Sequence, residues 1–302
     1  MDSSIAVVIL AWNNYDDTRE CLESMLSQRQ VETVIFLVDN GSRLEPLDDL
    51  PHKFPEINYI RSDRNLGFAA GTNLGLREAL ATESEYILII NNDTRADEFM
   101  LHELLKALKD EDVGLTAPVI YYYDDPDKVW SSGGAMNNLF LMPLESHSTK
   151  NILDCPTERT FVSGCCYLLK REMLEQVGLF DERFFLYFED LDFSKRINET
   201  AWKMKVIPAA KLFHKVAQSS GGQHSERERY YYALSSGLYY RKHVQPINAI
   251  PIILFRLGNA LKMTVTLFLR GDSRVLKSYL NGLYQGWFGK NPEQDKKPSS
   301  PV

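Results

Sequence analysis

Apolar residues in this chain fall into short runs, separated by stretches where they recur every three or four positions. Five runs read as strands, at residues 5–11, 34–38, 57–61, 86–90 and 113–120. Between them the spacing predicts helices over residues 16–28, 70–81 and 96–109, with Asp16 or Asp17 capping the first and Asp97 the third. Strands alternating with helices predict right-handed βαβ units and a mostly parallel sheet. The pattern then loosens: residues 121–155 lack periodicity and read as a long loop or irregular hairpin. It resumes with a strand at 160–169, a helix from Arg171, another from about Glu189, short strands at 203–207 and 211–215, and a helix from Ser225.

Near the C-terminus, residues 250–269 are apolar but interrupted by Arg256, Asn259 and Lys262. On a helix these residues share a sector of roughly 120° with Thr266 and Arg270. That predicts a helix lying in a membrane interface rather than crossing it. A helix pair packed on the core, with residues 273–288 as its second member, is the other reading the pattern allows.

Composition adds bounds. The 302 residues suffice for one large domain with an appendage, or two small domains. A net charge of −7 argues against a general nucleic-acid partner. The charge is uneven, because residues 241–290 hold eight basic residues against one acid, Asp272, an excess suited to anionic lipid. Beyond Lys290 the chain is rich in Pro, Lys and Ser and is expected to be disordered. Cys21, Cys155, Cys165 and Cys166 show no paired metal spacing, which predicts a reduced, cytoplasmic setting. The first apolar run reads as a buried strand and not as a signal peptide.

Candidate chemistry gathers where strands end. Val38-Asp39-Asn40-Gly41-Ser42 closes a run with an acid and a turn. Such a carboxylate accepts a hydrogen bond from a base or ribose, or merely stops the strand as an Asx-turn. In Arg64-Asn65-Leu66-Gly67-Phe68-Ala69-Ala70-Gly71-Thr72-Asn73 two glycines allow close backbone approach, and the following helix N-terminus favours an anion. The spacing is neither a dinucleotide fingerprint nor a phosphate loop. Asn91-Asn92-Asp93-Thr94 ends another strand, and its acid can hold Mg²⁺ or Mn²⁺ on a diphosphate while the amides bond a sugar. The aromatic run Phe184-Phe185-Leu186-Tyr187-Phe188 leads into Glu189-Asp190-Leu191-Asp192. On a helix Asp192 pairs with Arg196, leaving Asp190 or Glu189 as a base. His214, ahead of Ser219-Ser220-Gly221-Gly222, is structural unless it meets Asp93, when the two make a metal site.

In this order the segments resemble glycosyltransferase family 2, in its rhamnosyltransferase-like branch. Val7-Val8-Ile9-Leu10-Ala11-Trp12-Asn13 opens the match, and Gly178-Leu179-Phe180-Asp181-Glu182-Arg183 leads into the aromatic run and its acids. The likeness extends to about His243. It implies an α/β fold of GT-A type: a Rossmann-like mixed, mostly parallel sheet flanked by helices over residues 1–243. A nucleotide-sugar half would run to about residue 120 and an acceptor half over 121–243. Residues 244–290 would form an amphipathic, membrane-associating helical appendage, and 291–302 a tail.

The resemblance further implies inverting transfer of a sugar, best matched by L-rhamnose from dTDP-rhamnose, with a UDP-sugar donor as the alternative. The acceptor would be lipid-linked or a polysaccharide, in bacterial surface glycan synthesis at the cytoplasmic face of the inner membrane. By the same likeness Asp39 would pair with the pyrimidine, and Trp12 and Asn13 would help hold it. Asn65, Gly67, Gly71, Asn73 and Asn92 would border the nucleotide sugar. Asp93 and His214 would bind Mn²⁺ or Mg²⁺, and Asp190 would be the general base. Glu189, Trp130 and Gly164 fall on the acceptor side.

Two departures qualify the match. Asn91-Asn92-Asp93 offers one carboxylate where many relatives have more, which predicts modest metal affinity leaning on the diphosphate. Ser235-Ser236 stand where relatives often carry an Arg-Asn pair. A sugar-nucleotide pyrophosphorylase would need a Gly-rich basic loop after the first strand, and Asn13-Asn14-Tyr15-Asp16-Asp17 is not one. A non-catalytic nucleotide-binding relative has no reason to keep Asp93, Asp190 and His214 together.

Overall fold

In the computed structural model, residues 4–148, 155–216 and 225–289 are described. The Ser219-Ser220-Gly221-Gly222 segment and the expected disordered tail lie outside them. The early apolar runs form parallel strands β1 (Ile5–Ala11), β2 (Thr33–Asp39), β3 (Asn58–Arg61) and β4 (Tyr86–Asn91). They are joined through α1 (Tyr15–Leu26), the single turn α2 (Leu50–Lys53) and α3 (Phe68–Leu80). Alternate residues of β1 feed two cores. Ile5, Val7 and Ile9 pack with Cys21, Leu22 and Met25 of α1, while Ala6 and Val8 pack with Ala69, Leu76 and Ala79 of α3. Burial on both faces is why this run shows no polar alternation. The spatial order β3-β2-β1-β4 means the chain reverses direction of travel at β1. A crevice therefore opens beyond the carboxyl ends of β1 and β4.

The second half extends the sheet. β5 (Thr94–Ala96) and α4 (Met100–Leu108) precede β6 (Val113–Tyr122), followed by β7 (Val129–Ser131) and the hairpin β8 (Gly134–Asn137)–β9 (Met142–Glu145). Then come β10 (Thr157–Arg159), β11 (Cys166–Lys170), α5 (Arg171–Val177), α6 (Glu189–Ile197) and β12 (Lys203–His214). β11 inserts antiparallel between β4 and β6, and β12 lies parallel to β6. The result is the α/β mixed sheet flanked by helices that the sequence led us to expect, though less parallel than expected, because β5, β7, β10 and β11 all pair antiparallel.

Several boundaries differ, each for a local reason. The expected strand at 160–169 survives only as β11, because residues 160–165 bond elsewhere: Thr160 Oγ1 accepts from Met136 N (2.6 Å) and Phe161 bridges Gly134. The two strands at 203–207 and 211–215 are one strand with a register shift between Ile207 and Lys211, where Pro208 has no N–H to give. Asp16 and Asp17 lie in the first turn of α1 and do not cap it; Asn14, left-handed at φ 55°, stands at that position. Asp17 instead pairs with Lys215 at 2.6 Å. The third helix starts at Met100, since β5 is drawn into pairing with β12. Asp97 still accepts from Phe99 N just ahead of it (3.1 Å).

α7 (Glu226–His243), α8 (Ala249–Leu269) and α9 (Ser273–Phe288) complete the chain. α9 crosses α7 backbone to backbone. A Cβ on Gly286 would lie 2.5 Å from Leu234 O, one on Gly282 2.4 Å from Tyr230 O, and one on Gly237 2.6 Å from Gly286 C. The polar sector expected to face outward on α8 is partly turned inward. Arg256 is buried, donating to Ser236 Oγ (2.7 Å) and standing 4.8 Å over the Tyr240 ring. A guanidinium thus reaches the Ser235-Ser236 position from a different helix.

Candidate active site

Two joined cavities occupy the crevice, sharing the walls Phe68, Asn91 and Leu186. The inner one, about 150 Å³, lies at the ends of β1 and β4 and is lined by Trp12, Asn65, Gly67, Asn92 and Asp93. The outer one, about 520 Å³, is lined by Trp130, Gly164, Glu189, Asp190 and His214. Most of the expected residues therefore meet in one place, although they come from widely separated segments.

Four of them face elsewhere. Both oxygens of Asp39 are engaged within the chain: Oδ1 accepts from Ser42 N and Oδ2 from Tyr59 Oη, each at 2.8 Å. Asn13, left-handed at φ 58°, uses its Oδ1 to gather the amides of Arg43 and Leu44 (3.0 and 3.1 Å). Asn73 holds the 180–182 segment through Phe180 O (2.9 Å), Phe180 N (3.1 Å) and Glu182 Oε1 (3.0 Å). Gly71 lets α3 close on β1, since a Cβ there would sit 2.7 Å from Leu10 Cδ1. Gly67 needs its freedom: φ is 84°, and a Cβ would lie 2.4 Å from Phe185 O.

Three residues were not singled out from the sequence. Arg227, at the start of α7, lies 4.6 Å over the Trp12 ring and lines the inner cavity beside Asp93. Asn40 braces the nucleotide-side loop, donating to Gly67 O (3.0 Å) and accepting from Leu66 N (2.9 Å). Glu145, from the β8–β9 hairpin, is exposed and lines the outer cavity together with Asp190. Arg227 and Glu145 lie in segments whose pattern did not point to a site, whereas Asn40 lies in the Val38–Ser42 turn, where Asp39 alone was given a role.

At the inner end His214 Nε2 stands 3.3 Å from Asp93 Oδ1, and His214 Nδ1 is buried without a hydrogen-bond partner. Burial disfavours an imidazolium there, but Cys165 and Asp93 outweigh it and raise the His214 pKa. Cys165 is itself kept as a thiol by burial, so at neutral pH Asp93 is the partner that counts. The pair is thus a seat for a cation, whether proton or metal ion. One carboxylate and one imidazole suit a Mg²⁺ or Mn²⁺ whose other ligands are phosphate oxygens and water. No group of three or more His, Cys, Asp or Glu able to hold a metal occurs among the described residues.

At the outer end, Tyr187 and Phe188 are both left-handed at φ 68°. Packing of Tyr187 and Phe188 on Tyr232, and of Phe188 on Tyr239, holds this costly turn. It delivers Glu189 and Asp190 to the first turn of α6. Asp192, two residues on, is fully buried and anchors the helix. It bonds Arg196 Nε (2.9 Å), Lys242 Nζ (2.7 Å) and His243 Nε2 (2.7 Å), and Lys242 also reaches Asp181 (2.7 Å). Burial works against its charge, but these partners hold its pKa below the ordinary range.

Glu189 and Asp190 are pushed apart. Burial raises both, Glu189 further because the Asp190 charge adds to it and its Oε2 has no partner. Asp190 keeps two amide donors, Gly164 N (3.1 Å) and Leu191 N (2.8 Å), which favour its anion. Glu189 is thus held further toward its neutral form than Asp190, which makes Asp190 the candidate base of the two.

Two outcomes are expected. In kcat/KM against pH, the acid limb should lie above the ordinary Asp value of 3.8, with activity rising as Asp190 deprotonates. A limb at or below that value would contradict the raised pKa. For Glu189 the folded state binds more protons than the unfolded one, so stability falls as pH rises from 4.5 toward the folded pKa. Glu189→Gln should therefore flatten that decline in urea unfolding while retaining most of the turnover. Loss of turnover would make Glu189, not Asp190, the base.

Residues 6–178 match the family model for glycosyl transferase family 2. The chain is 28% identical over 223 residues to N-acetylglucosaminyl-diphospho-decaprenol L-rhamnosyltransferase of Mycobacterium tuberculosis, covering 66% of this chain and 71% of that one. It is 26% identical over 267 residues to dTDP-rhamnosyl transferase RfbF of Shigella flexneri, covering 85% and 87%. Among solved structures it resembles GalNAc-T7 with UDP, GalNAc and Mn²⁺, at a TM-score of 0.62 and 16% identity. That match spans 78% of this chain and 48% of the longer one.

Proposed function

The chain belongs to glycosyltransferase family 2, and from that premise we propose that it transfers a sugar, with inversion, from a nucleotide diphosphate to a lipid-linked saccharide. L-Rhamnose from a dTDP donor is the preferred sugar, because rhamnosyltransferases appear by name among the relatives. Work at the cytoplasmic face of a bacterial inner membrane fits a lipid-linked acceptor. One observation carries the reading: a buried Asp93–His214 cation seat and a raised-pKa carboxylate, Asp190, face two cavities that share a wall.

The inner cavity takes the diphosphate end of the donor, with the nucleotide extending past Trp12 and Asn65. Asp93 and His214 would hold Mn²⁺ or Mg²⁺, which when bound neutralises charge on the departing diphosphate. Arg227 adds a fixed positive charge on the same side. The acceptor hydroxyl enters through the outer cavity, and Asp190 takes its proton as the hydroxyl oxygen attacks the anomeric carbon. Glu189, kept neutral, can donate a hydrogen bond to the acceptor.

The test is release of nucleoside diphosphate from dTDP-rhamnose and from UDP- and GDP-sugars, with Mn²⁺, Mg²⁺ or EDTA and a lipid-diphosphate sugar acceptor. Turnover of dTDP-rhamnose that EDTA stops is the expected result. Asp93→Asn should raise the divalent ion needed for half-maximal rate by about tenfold or more. Turnover of another donor would replace rhamnose, and full activity in EDTA would remove the metal.

A further inference from the structure

Twelve of the fifteen large hydrophobic residues exposed among the described residues lie between Ile247 and Phe288. On α8 they form one stripe at helical spacing: Ile250, Ile253 and Leu254, Leu257, Leu261, Val265, Phe268. Ile250 and Phe268 are each 72% exposed. The opposite side of the helix, with Ile252, Arg256 and Leu267, is the buried one. α8 therefore turns its apolar face away from the protein, the reverse of a helix packed on a core. Exposed apolar surface on this scale marks an interaction site.

Charge indicates the occupant. Residues 1–243 hold 26 basic and 38 acidic residues, whereas α8, α9 and their junction carry Arg256, Lys262, Arg270, Arg274 and Lys277 against Asp272. Of these, Lys262, Arg270, Arg274 and Lys277 are exposed. A second copy would bring this basic rim against itself, while anionic lipid complements it.

α8 also touches the rim of the site, through its protein-facing side. Phe255 of α8 packs on Phe140 at 4.9 Å, at the tip of the hairpin whose Met142, Pro143 and Glu145 line the outer cavity. Leu139 and Leu144 of that hairpin are exposed as well. We propose that α8 lies in the headgroup plane of an anionic phospholipid bilayer with this stripe in the acyl boundary. The hairpin and the rim of the outer cavity then stand at the membrane surface. With the turn before it, α8 makes a segment, Pro246–Leu269, long and apolar enough to span, at 24 residues with a mean hydropathy of 1.5 in its apolar stretch. Crossing would, however, strip Arg256 from Ser236 and Tyr240 and carry Lys262 into hydrocarbon.

The purpose of the surface rests on the lipid-linked acceptor proposed above, but its test does not, because vesicle binding needs neither donor nor acceptor. Full-length protein would be sedimented with phosphatidylcholine vesicles, with and without phosphatidylglycerol, at low and high salt. Binding to the anionic vesicles that weakens with salt is expected. Leu257→Glu with Leu261→Glu, and separately Arg274→Glu with Lys277→Glu, should each weaken it about tenfold or more. All four positions are exposed, so circular dichroism and transfer to a soluble acceptor should stay as in the wild type.

Protein left in the supernatant, or variants that bind undiminished, would overturn the proposal. A stable dimer in light scattering that the leucine pair dissolves would assign the stripe to a second copy. Retention through alkaline carbonate would make α8 a span.

Discussion

Asp190→Asn should lower kcat by about 10²–10⁴-fold while leaving donor affinity close to wild type. The substitution nearly preserves shape and an oxygen acceptor for the Gly164 or Leu191 amide. What it removes is the ability to accept a proton from the hydroxyl. The donor contacts proposed above lie in the inner cavity, on the far side of Phe68, Asn91 and Leu186. Calorimetric titration with nucleoside diphosphate, set beside single-turnover rates, separates the two effects. If kcat persists, Glu189 or Glu145 carries the proton. If kcat and donor affinity fall together, the substitution has disturbed the site as a whole.

Gly282→Leu combined with Gly286→Leu should be the most damaging change outside the cavities. A Cβ at these positions would meet main-chain atoms of α7 at 2.4 and 2.5 Å, and backbone cannot step aside as a side chain can. Overpacking of this kind costs about 1–3 kcal/mol per site and more where helices must part. The pair would remove a large share of a typical stability of about 5–15 kcal/mol. Thermal unfolding should show a lower midpoint, and limited proteolysis an early cut between α8 and α9. An unchanged midpoint would mean that the helices do not cross this closely.

Much of this protein could be read from its residues, for physical reasons. β1 and β4 are buried on both faces, so their runs are unbroken, and an acid or amide at the end of such a run stands out. Asp93 and Asp190 were visible because a carboxylate beside apolar residues demands an explanation. Arg227 and Glu145 were not, because their importance arises only when α7 and a hairpin of no clear periodicity fold over the crevice. Asn13, Asp39 and Asn73 illustrate a different limit: a motif shows which polar groups are near a site, but not how many of their bonds neighbouring loops have already taken. On α8 the helical wheel defined the two faces correctly. It held no information on which face would meet the protein, and that depended on Ser236 and Tyr240 offering Arg256 a buried berth.

Lys242 and His243 are the last residues of α7, and both grip Asp192. Asp192 sits half a turn beyond Asp190 on the same short helix. Whatever tilts the end of α7, where α8 departs, pulls on the helix that aims the proton acceptor through these charged contacts. The last turn of α7 is in this sense a lever arm, and the proposed base is mounted on its short end.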